Sequence, residues 1–244
     1  MLSNIRIVLV RTFHSGNIGS VARAMKTMGL THLVLVNPND FDAKQGKEDA
    51  LKMARSADDV LQSVIQTENL YDAVKDCHVV IASTARERGY DLPYLNPEES
   101  ALKLLDVASH SKVALVFGPE RMGLSNDDLQ HCHFRVTIPT HPDYSSLNIA
   151  AAVQTLSYEI YKQSLLLKTS KELNRANIRQ SPDRATLEKL FIHMEDTLNN
   201  TGFIIKNHPG DLMKKLRQLY TRAELDESEV NILRGVLSSM DRHL

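Results

Sequence analysis

The sequence contains little cysteine and no long apolar run. Only Cys77 and Cys132 occur among its 244 residues, which excludes a framework of several disulfides and fits a reducing compartment. No stretch is apolar over the ~20 residues that a membrane-spanning helix needs. The opening "MLSNIRIVLV" has too short an apolar run for a signal peptide and is typical of a first β-strand. These absences predict a cytoplasmic protein without a membrane segment.

An excess of charge and the common nucleotide motifs are missing as well. Lys and Arg number 29 against 30 Asp and Glu, so any affinity for nucleic acid must come from local patches. Neither G-x-G-x-x-G nor G-x-x-x-x-G-K-[ST] occurs, and no G-x-S-x-G elbow is present for a serine nucleophile. His131, Cys132 and His133 are consecutive beside a predicted strand, where neighbouring side chains point to opposite faces. We therefore predict no metal site.

Five short apolar runs, rich in β-branched residues, alternate with helical patterns. Nearly continuous runs of this kind are typical of strands buried on both faces of a parallel sheet. The predicted strands are Ile5–Val10, His32–Val36, His78–Ser83, Lys112–Gly118 and Phe134–Pro139. The predicted helices between and after them are Asn17–Met28, Asp49–Val64, Leu70–Asp76, Pro97–Ala108 and Leu147–Leu166. This alternation predicts an α/β domain with a mostly parallel sheet.

The last third of the chain differs from the rest in its composition and its hydrophobic pattern. Residues 168–180 are polar with few apolar anchors and are predicted to form a linker. Residues 181–244 carry three helical patterns and are predicted to form a small all-helical domain, which leaves residues 1–167 as the α/β domain. Within the stretch "KKLRQLYTR", Lys214, Lys215 and Arg217 form a basic patch that we predict contacts RNA.

Three loops follow predicted parallel strands and should open at one edge of the sheet. They are "STARER" (83–88), "GPERMGL" (118–124) and "PTHPDYSSLN" (139–148). Each alone is compatible with an ordinary turn. Together they are small and rich in glycine and hydroxyl groups, which suits hydrogen bonding to an adenine and a ribose better than binding a triphosphate.

The stretches "NIGSVARAMKTMG", "VFGPERMGLSN" and "IPTHPDYSSLNIAAAVQ" resemble, in order and spacing, the three motifs of the SPOUT class of RNA methyltransferases. The resemblance covers about the first two-thirds of the chain, and the helical tail is compatible with one bacterial branch. That branch methylates the ribose 2′-OH of nucleotide 32, a cytidine or uridine in the tRNA anticodon loop. The resemblance implies a C-terminal trefoil knot in the α/β domain, S-adenosylmethionine as cofactor and a homodimer.

The resemblance also implies roles for individual residues. Arg23 is the basic residue of the first motif, and we expect it to orient the ribose hydroxyl and stabilise its developing charge. An arginine is always protonated and is a poor base. Ser146 is expected near the reacting centre. The residues expected around the cofactor are Ser83, Thr84, Ala85, Gly118, Glu120, Ile138, Ser145, Ser146 and Leu147.

Other interpretations remain open from the sequence. Arg86 and Arg88 follow the cofactor loop and are expected to contact RNA phosphate, although a surface charge pair with Glu87 explains them equally well. Without the motif, Arg23 is an ordinary solvated helix residue. The alternatives in function are a SPOUT enzyme acting on another tRNA position or on ribosomal RNA, and a non-catalytic RNA-binding module with the same fold.

Overall fold

A computed structural model of the protein describes residues 1–85, 91–170, 181–204 and 209–242. Within these residues the chain forms one sheet of seven parallel strands, in the order β3-β2-β1-β6-β4-β7-β5. The strands are β1 (Ile5–Val10), β2 (His32–Val36), β3 (Ile65–Thr67), β4 (Val79–Ser83), β5 (Tyr94–Leu95), β6 (Val113–Phe117) and β7 (Phe134–Val136). The predicted α/β fold with a mostly parallel sheet is confirmed.

The continuous apolar runs arise because both faces of the sheet are covered. Along β1, Ile7 and Leu9 face one core, whereas Val8 and Val10 face the other, and all four side chains are fully buried. In a half-exposed strand every second residue would be polar. The central position of β1, between β2 and β6, therefore accounts for its uninterrupted hydrophobicity.

Helices flank the sheet on both sides. Helices α1, α2, α5 and α7 contribute to the larger core, and α4 and α6 contribute to the smaller core on the opposite face. The helices of the α/β part are α1 (Ser15–Thr27), α2 (Lys44–Ala54), α3 (Asp58–Gln62), α4 (Leu70–Val74), α5 (Pro97–Ala108), α6 (Asn126–Leu129) and α7 (Ile149–Ser170).

The two largest departures from the sequence prediction concern one predicted helix and a pair of short strands. The single helix predicted over Asp49–Val64 is two helices, α2 and α3, because the chain turns at Arg55, whose φ is +55°. Strands β3 and β5 were not predicted; they have three and two residues, too few to show a periodic pattern. Neither difference changes the sheet edge where the three loops lie.

The described tail consists of three helices with their own core. They are α8 (Arg184–Asn200), α9 (Pro209–Ala223) and α10 (Glu227–Asp241), and the predicted C-terminal helical region is thus confirmed. Their core includes Leu190, Phe191 and Val230. The trefoil knot and the exact domain boundaries stay predictions.

The tail packs against the edge of the sheet where the strands begin. The amide of Arg184 donates to the carbonyl of Cys77 at 3.0 Å, and the amide of Ala185 donates to that of Lys75 at 2.9 Å. Both acceptors lie just before β4. The Arg184 side chain, only 1% exposed, donates to the carbonyl of Gln130, which precedes β7. The tail therefore lies at the opposite end of the strands from the three loops.

Candidate active site

A cavity lies at the edge of the sheet where β4, β6 and β7 end. Its walls come from the three loops singled out in the sequence, together with the first turns of α7. All nine residues predicted around the cofactor line this one cavity: Ser83, Thr84, Ala85, Gly118, Glu120, Ile138, Ser145, Ser146 and Leu147. Loops separated by up to 64 positions along the chain are therefore brought together as the parallel topology predicts.

One buried hydroxyl at the cavity wall has no partner among the described residues. Thr84 Oγ1 is buried and makes no hydrogen bond there, and the amide of Thr84 donates to the carbonyl of Val136 at 3.0 Å. A buried polar atom without a partner costs free energy. A polar ligand in the cavity would satisfy this hydroxyl, so the site fits an adenosine-like molecule with several hydrogen-bonding groups.

The loop after β6 folds tightly onto itself, and this explains Gly118. A Cβ atom at Gly118 would lie 2.3 Å from the Leu124 amide nitrogen and 2.5 Å from the Gly123 carbonyl carbon. Gly123 itself has φ of +65°, and its amide donates to the Pro119 carbonyl at 2.8 Å. Position 118 therefore requires a glycine because the loop returns so closely onto its own backbone.

We expect Gly118→Ala to displace the cavity loop and to weaken S-adenosylmethionine binding by about tenfold or more, since overpacking of this kind typically costs about 1–3 kcal/mol. Isothermal calorimetry measures the affinity. The matched control is Gly235→Ala on α10, where a Cβ would meet nothing within 4 Å and cofactor affinity should be unchanged. Equal affinity of Gly118→Ala and the unaltered protein would contradict this account of the loop.

Glu120 connects all three motifs through hydrogen bonds. Its carboxylate accepts from Asn17 Nδ2 at 2.8 Å and from the Phe13 amide at 3.1 Å. Asn148 Nδ2 in turn donates to Asn17 Oδ1 at 3.2 Å. Burial alone would raise the pKa of Glu120, but the hydrogen bonds from Asn17 and from backbone amides hold it below its ordinary value. Glu120 therefore stays ionised and fixes the β6 loop to α1, as a positioning residue at the cavity wall.

The two residues predicted to be catalytic, Arg23 and Ser146, do not lie in the same cavity of one chain. Ser146 lines the cavity, whereas Arg23 does not. Arg23 is exposed on α1, six residues beyond Asn17, or about 9 Å along the helix axis. Among the residues that the structure describes, Arg23 forms no hydrogen bond or ion pair. A single chain therefore does not bring Arg23 to its own cavity.

The residues predicted to contact RNA fall into three groups. Arg86 and Arg88 lie outside the described residues. Lys214 and Lys215 lie on α9, and Lys215 is exposed. Arg217 instead points into the tail, where it pairs with both carboxylate oxygens of Glu188 at 2.6 and 2.7 Å. Its guanidinium also lies 4.6 Å from the centre of the Phe191 ring.

The interpretation of Arg217 as an RNA contact needs correction. Its side chain is only 15% exposed, and both of its terminal nitrogens donate to Glu188 within the tail. Burial alone would raise the pKa of Glu188, but the hydrogen bonds from Arg217 outweigh that effect and hold it below its ordinary value, so this carboxylate stays ionised. Counting charges along the helix could not distinguish this inward-facing arginine from an exposed lysine such as Lys215.

The two histidines just before β7, His131 and His133, are packed into the protein interior. Burial lowers the pKa of His133 to about 3 and that of His131 to about 4, so both are neutral at physiological pH. His133 Nδ1 accepts from the Val80 amide at 3.0 Å. Across the described ranges, no group of three or more His, Cys, Asp or Glu is arranged to hold a metal ion. None of the described helices has the length and apolar character to cross a bilayer.

Comparison with known sequences defines the class of protein. The sequence model of the SpoU rRNA methylase family matches residues 4–158, which is more than half of the chain and contains the entire cavity. The chain therefore belongs to the SpoU methylase family. Residues 185–244 match a second model, the C-terminal domain of the tRNA methyltransferase TrmJ.

Individual relatives agree with this assignment. The tRNA (cytidine/uridine-2'-O-)-methyltransferase TrmJ of Salmonella typhimurium is 47% identical over 244 residues, covering 99% of this chain and 98% of that protein. The crystal structure of TrmJ from Z. mobilis matches with a TM-score of 0.82 at 33% identity, covering 97% of this chain and 98% of that chain. A probable methylase family protein from Haemophilus influenzae matches at 0.66 and 42% identity, covering 100% and 98%.

Proposed function

We propose that the protein transfers a methyl group from S-adenosylmethionine to the ribose 2′-OH of the cytidine or uridine at position 32 of tRNA. The observation that carries this proposal is the single cavity lined by all nine predicted cofactor residues, in a chain similar to TrmJ over its whole length. Position 32 rests on the resemblance of the motifs. Action on another tRNA nucleotide or on ribosomal RNA is the alternative within the same chemistry.

The cavity suits S-adenosylmethionine through its shape and polarity. Apolar side chains, including Leu124, Ile138 and Ile149, alternate with backbone and hydroxyl groups around it. Thr84 Oγ1 and the hydroxyls of Ser145 and Ser146 are available to hydrogen-bond a ribose or an adenine. When bound there, the cofactor supplies an electrophilic methyl group. We infer that Ser146 lies nearest the reacting oxygen.

Arg23 has the chemistry to orient the acceptor and to stabilise its developing charge. Its planar guanidinium offers paired donors to a phosphate or to an alkoxide oxygen. Because it remains protonated, it acts as an electrostatic group and not as a base. Its distance from the cavity of its own chain leads us to propose that it serves the cavity of a second chain in a homodimer.

Helix α7 offers the surface for that homodimer. Its exposed apolar residues Tyr158, Leu165 and Leu166 are 53%, 45% and 56% exposed, and their spacing of seven and eight positions places them on one face. The opposite face, with Val153, Leu156 and Ile160, is buried in the larger core, where α7 packs against α1 and α5. The sequence of α7 is apolar on two sides because, we infer, each side is covered by a different chain.

We expect Tyr158→Arg to shift the protein from dimer to monomer, because a charge at a buried contact costs several kcal/mol. Sedimentation velocity at micromolar concentration measures the mass. The matched control is Ile232→Arg on α10, a residue 65% exposed, which should leave the mass unchanged. A monomeric mass for the unaltered protein, with methylation intact, would rule out the shared active site.

The tail is proposed to bind tRNA as a separate domain. We propose boundaries at 1–167 for the methyltransferase domain, 168–180 for the linker and 181–244 for the helical domain, and the separate core of the tail supports this division. The tail packs at the strand edge away from the cavity, so its contacts would fall on a part of the tRNA distant from the methylated ribose. Lys214 and Lys215 remain the candidate phosphate contacts.

The proposed chemistry is tested by transfer of a tritiated methyl group to unmodified tRNA transcripts. The expected result is incorporation into a transcript with a ribose at position 32, and none when that single nucleotide carries a 2′-deoxyribose. Incorporation that is insensitive to the deoxy substitution would contradict 2′-O-methylation at position 32. Cofactor binding with no methyl transfer to any RNA would favour a non-catalytic RNA-binding module.

A further inference from the structure

An exposed aromatic ring lies beside the cavity and has no role in the function described so far. Phe13 follows β1 at the same sheet edge as the cavity, and it is 54% exposed. Its neighbour Thr12 is fully buried. A large apolar side chain directed to solvent next to a ligand cavity is a candidate for a binding contact.

The backbone that carries Phe13 is held at several points. The Arg11 amide donates to the Val36 carbonyl at 2.8 Å, and the Asn39 amide donates to the Thr12 carbonyl at 3.1 Å. The Phe13 amide donates to Glu120, itself a cavity residue, at 3.1 Å. With three such hydrogen bonds the segment is fixed, so the exposure of the ring is a feature of the fold.

The side chain of Arg11 adds a further anchor. It reaches across to Asp128, with Nη1 3.2 Å from Oδ1 and Nη2 bonded to the other oxygen. Burial alone would raise the pKa of Asp128, but the hydrogen bonds from Arg11 and Ser125 outweigh that effect and hold it below its ordinary value. The Asp128 carboxylate is therefore ionised. Asp128 also accepts from the Ser125 amide at 2.7 Å. Arg11 thus ties the segment before Phe13 to α6, the helix that follows the β6 loop.

A cation and a second ring surround Phe13. The guanidinium carbon of Arg121 lies 5.8 Å from the centre of the Phe13 ring, within the range of a cation–π contact. The His14 ring meets the Phe13 ring edge-on, with centroids 4.9 Å apart and planes at 84°. Arg121 also lines the cavity. We name Phe13 and Arg121 together the stacking platform.

We propose that the stacking platform holds one unstacked base of the substrate RNA, at or next to the nucleotide whose ribose is methylated. This inference rests on the proposed function. Bases of single-stranded RNA are bound by stacking on aromatic rings and on arginine planes. An exposed phenyl ring on a fixed backbone segment, beside an arginine that lines the cavity, has that chemistry and location.

Phe13→Leu should lower kcat/KM for an anticodon stem–loop by about tenfold, since stacking of one base is typically worth about 1–3 kcal/mol. The loss should appear mainly in KM, with S-adenosylmethionine affinity unchanged. Phe13→Tyr should restore the activity because it keeps the ring. The control is Ile65→Ala on the edge strand β3, an apolar residue 51% exposed that lies outside both the cavity and the tail, and it should change nothing.

A double-mutant cycle with abasic RNA identifies the base. Each loop nucleotide is replaced in turn by an abasic site, and binding of Phe13→Leu and unaltered protein is compared by fluorescence anisotropy, which does not depend on catalysis. The platform predicts that the effect of Phe13→Leu disappears at one position and persists at the others. An effect that persists at every position, or is absent throughout, overturns the proposal.

The same experiments distinguish the stacking platform from the proposed homodimer and from the proposed methyltransferase function. If Phe13→Leu weakens dimerisation in sedimentation experiments and the abasic cycle is flat, the ring belongs to a contact between two chains and the platform is wrong. If the unaltered protein methylates no RNA but the cycle singles out one base, the proposed function fails, and only the contact between the platform and an RNA base is upheld.

Discussion

Arg23→Ala should lower the rate of methyl transfer by about 100-fold or more, because it removes a preorganised charged contact to the reacting group. The affinity for S-adenosylmethionine should be nearly unchanged, since Arg23 does not line the cavity of its own chain. Arg23→Lys should restore little, because an ammonium cannot reproduce the planar fork of the guanidinium. Single-turnover kinetics and calorimetry measure the two quantities separately.

Mixing two inactive variants tests whether Arg23 acts across the dimer. Arg23→Ala keeps an intact cavity, and Gly118→Val keeps an intact Arg23. If each site combines one chain's cavity with the other chain's Arg23, every mixed dimer has one complete site, and statistical mixing returns about a quarter of full activity. If the mixture stays inactive while mixed dimers form, Arg23 serves its own chain.

Removal of the tail is expected to lower methylation of tRNA by about as much as Arg23→Ala does. A protein that ends at Leu167 should bind S-adenosylmethionine normally but methylate tRNA about 100-fold less efficiently or worse. Loss of two charge-assisted contacts, at about 1.5–3 kcal/mol each, suffices for such a change. Filter binding should also show that the affinity of the full chain for tRNA falls steeply with added salt.

Point variants distinguish RNA contacts from loss of fold in that experiment. Lys214→Ala combined with Lys215→Ala should weaken tRNA binding with little change in melting temperature. Arg217→Ala should do the opposite, lowering the melting temperature because the buried carboxylate of Glu188 loses its partner. Full activity of the shortened protein would show that the tail takes no part in tRNA recognition.

Much of the fold could be predicted from the sequence because it depends on burial. Strand β1 lies between two other strands under two layers of helices, so its sequence had to be apolar at nearly every position. Helix α5 has the limits that were predicted for it, and in the structure Asn96 and Glu99 form a capping box at its start. Strands β3 and β5 were missed because pairing with a neighbour, and not their own sequence, defines them.

The composition of the site was predictable, but its internal connections were not. The resemblance of three motifs gave the lining residues, and the parallel topology explains why they converge. The bonds from Asn17 to Glu120 and from Asn148 to Asn17 join residues 103 and 131 positions apart, and no local pattern reports such pairs. The clash that makes Gly118 necessary likewise depends on where Leu124 returns in space.

The most direct test of the central claim is mass spectrometry of nuclease-digested tRNA after incubation with the protein and S-adenosylmethionine. The account predicts one added methyl group, located on the ribose of the cytidine or uridine at position 32, and its absence with Arg23→Ala. A methyl group on a base, on a different nucleotide, or at position 32 with full yield from Arg23→Ala would contradict the account.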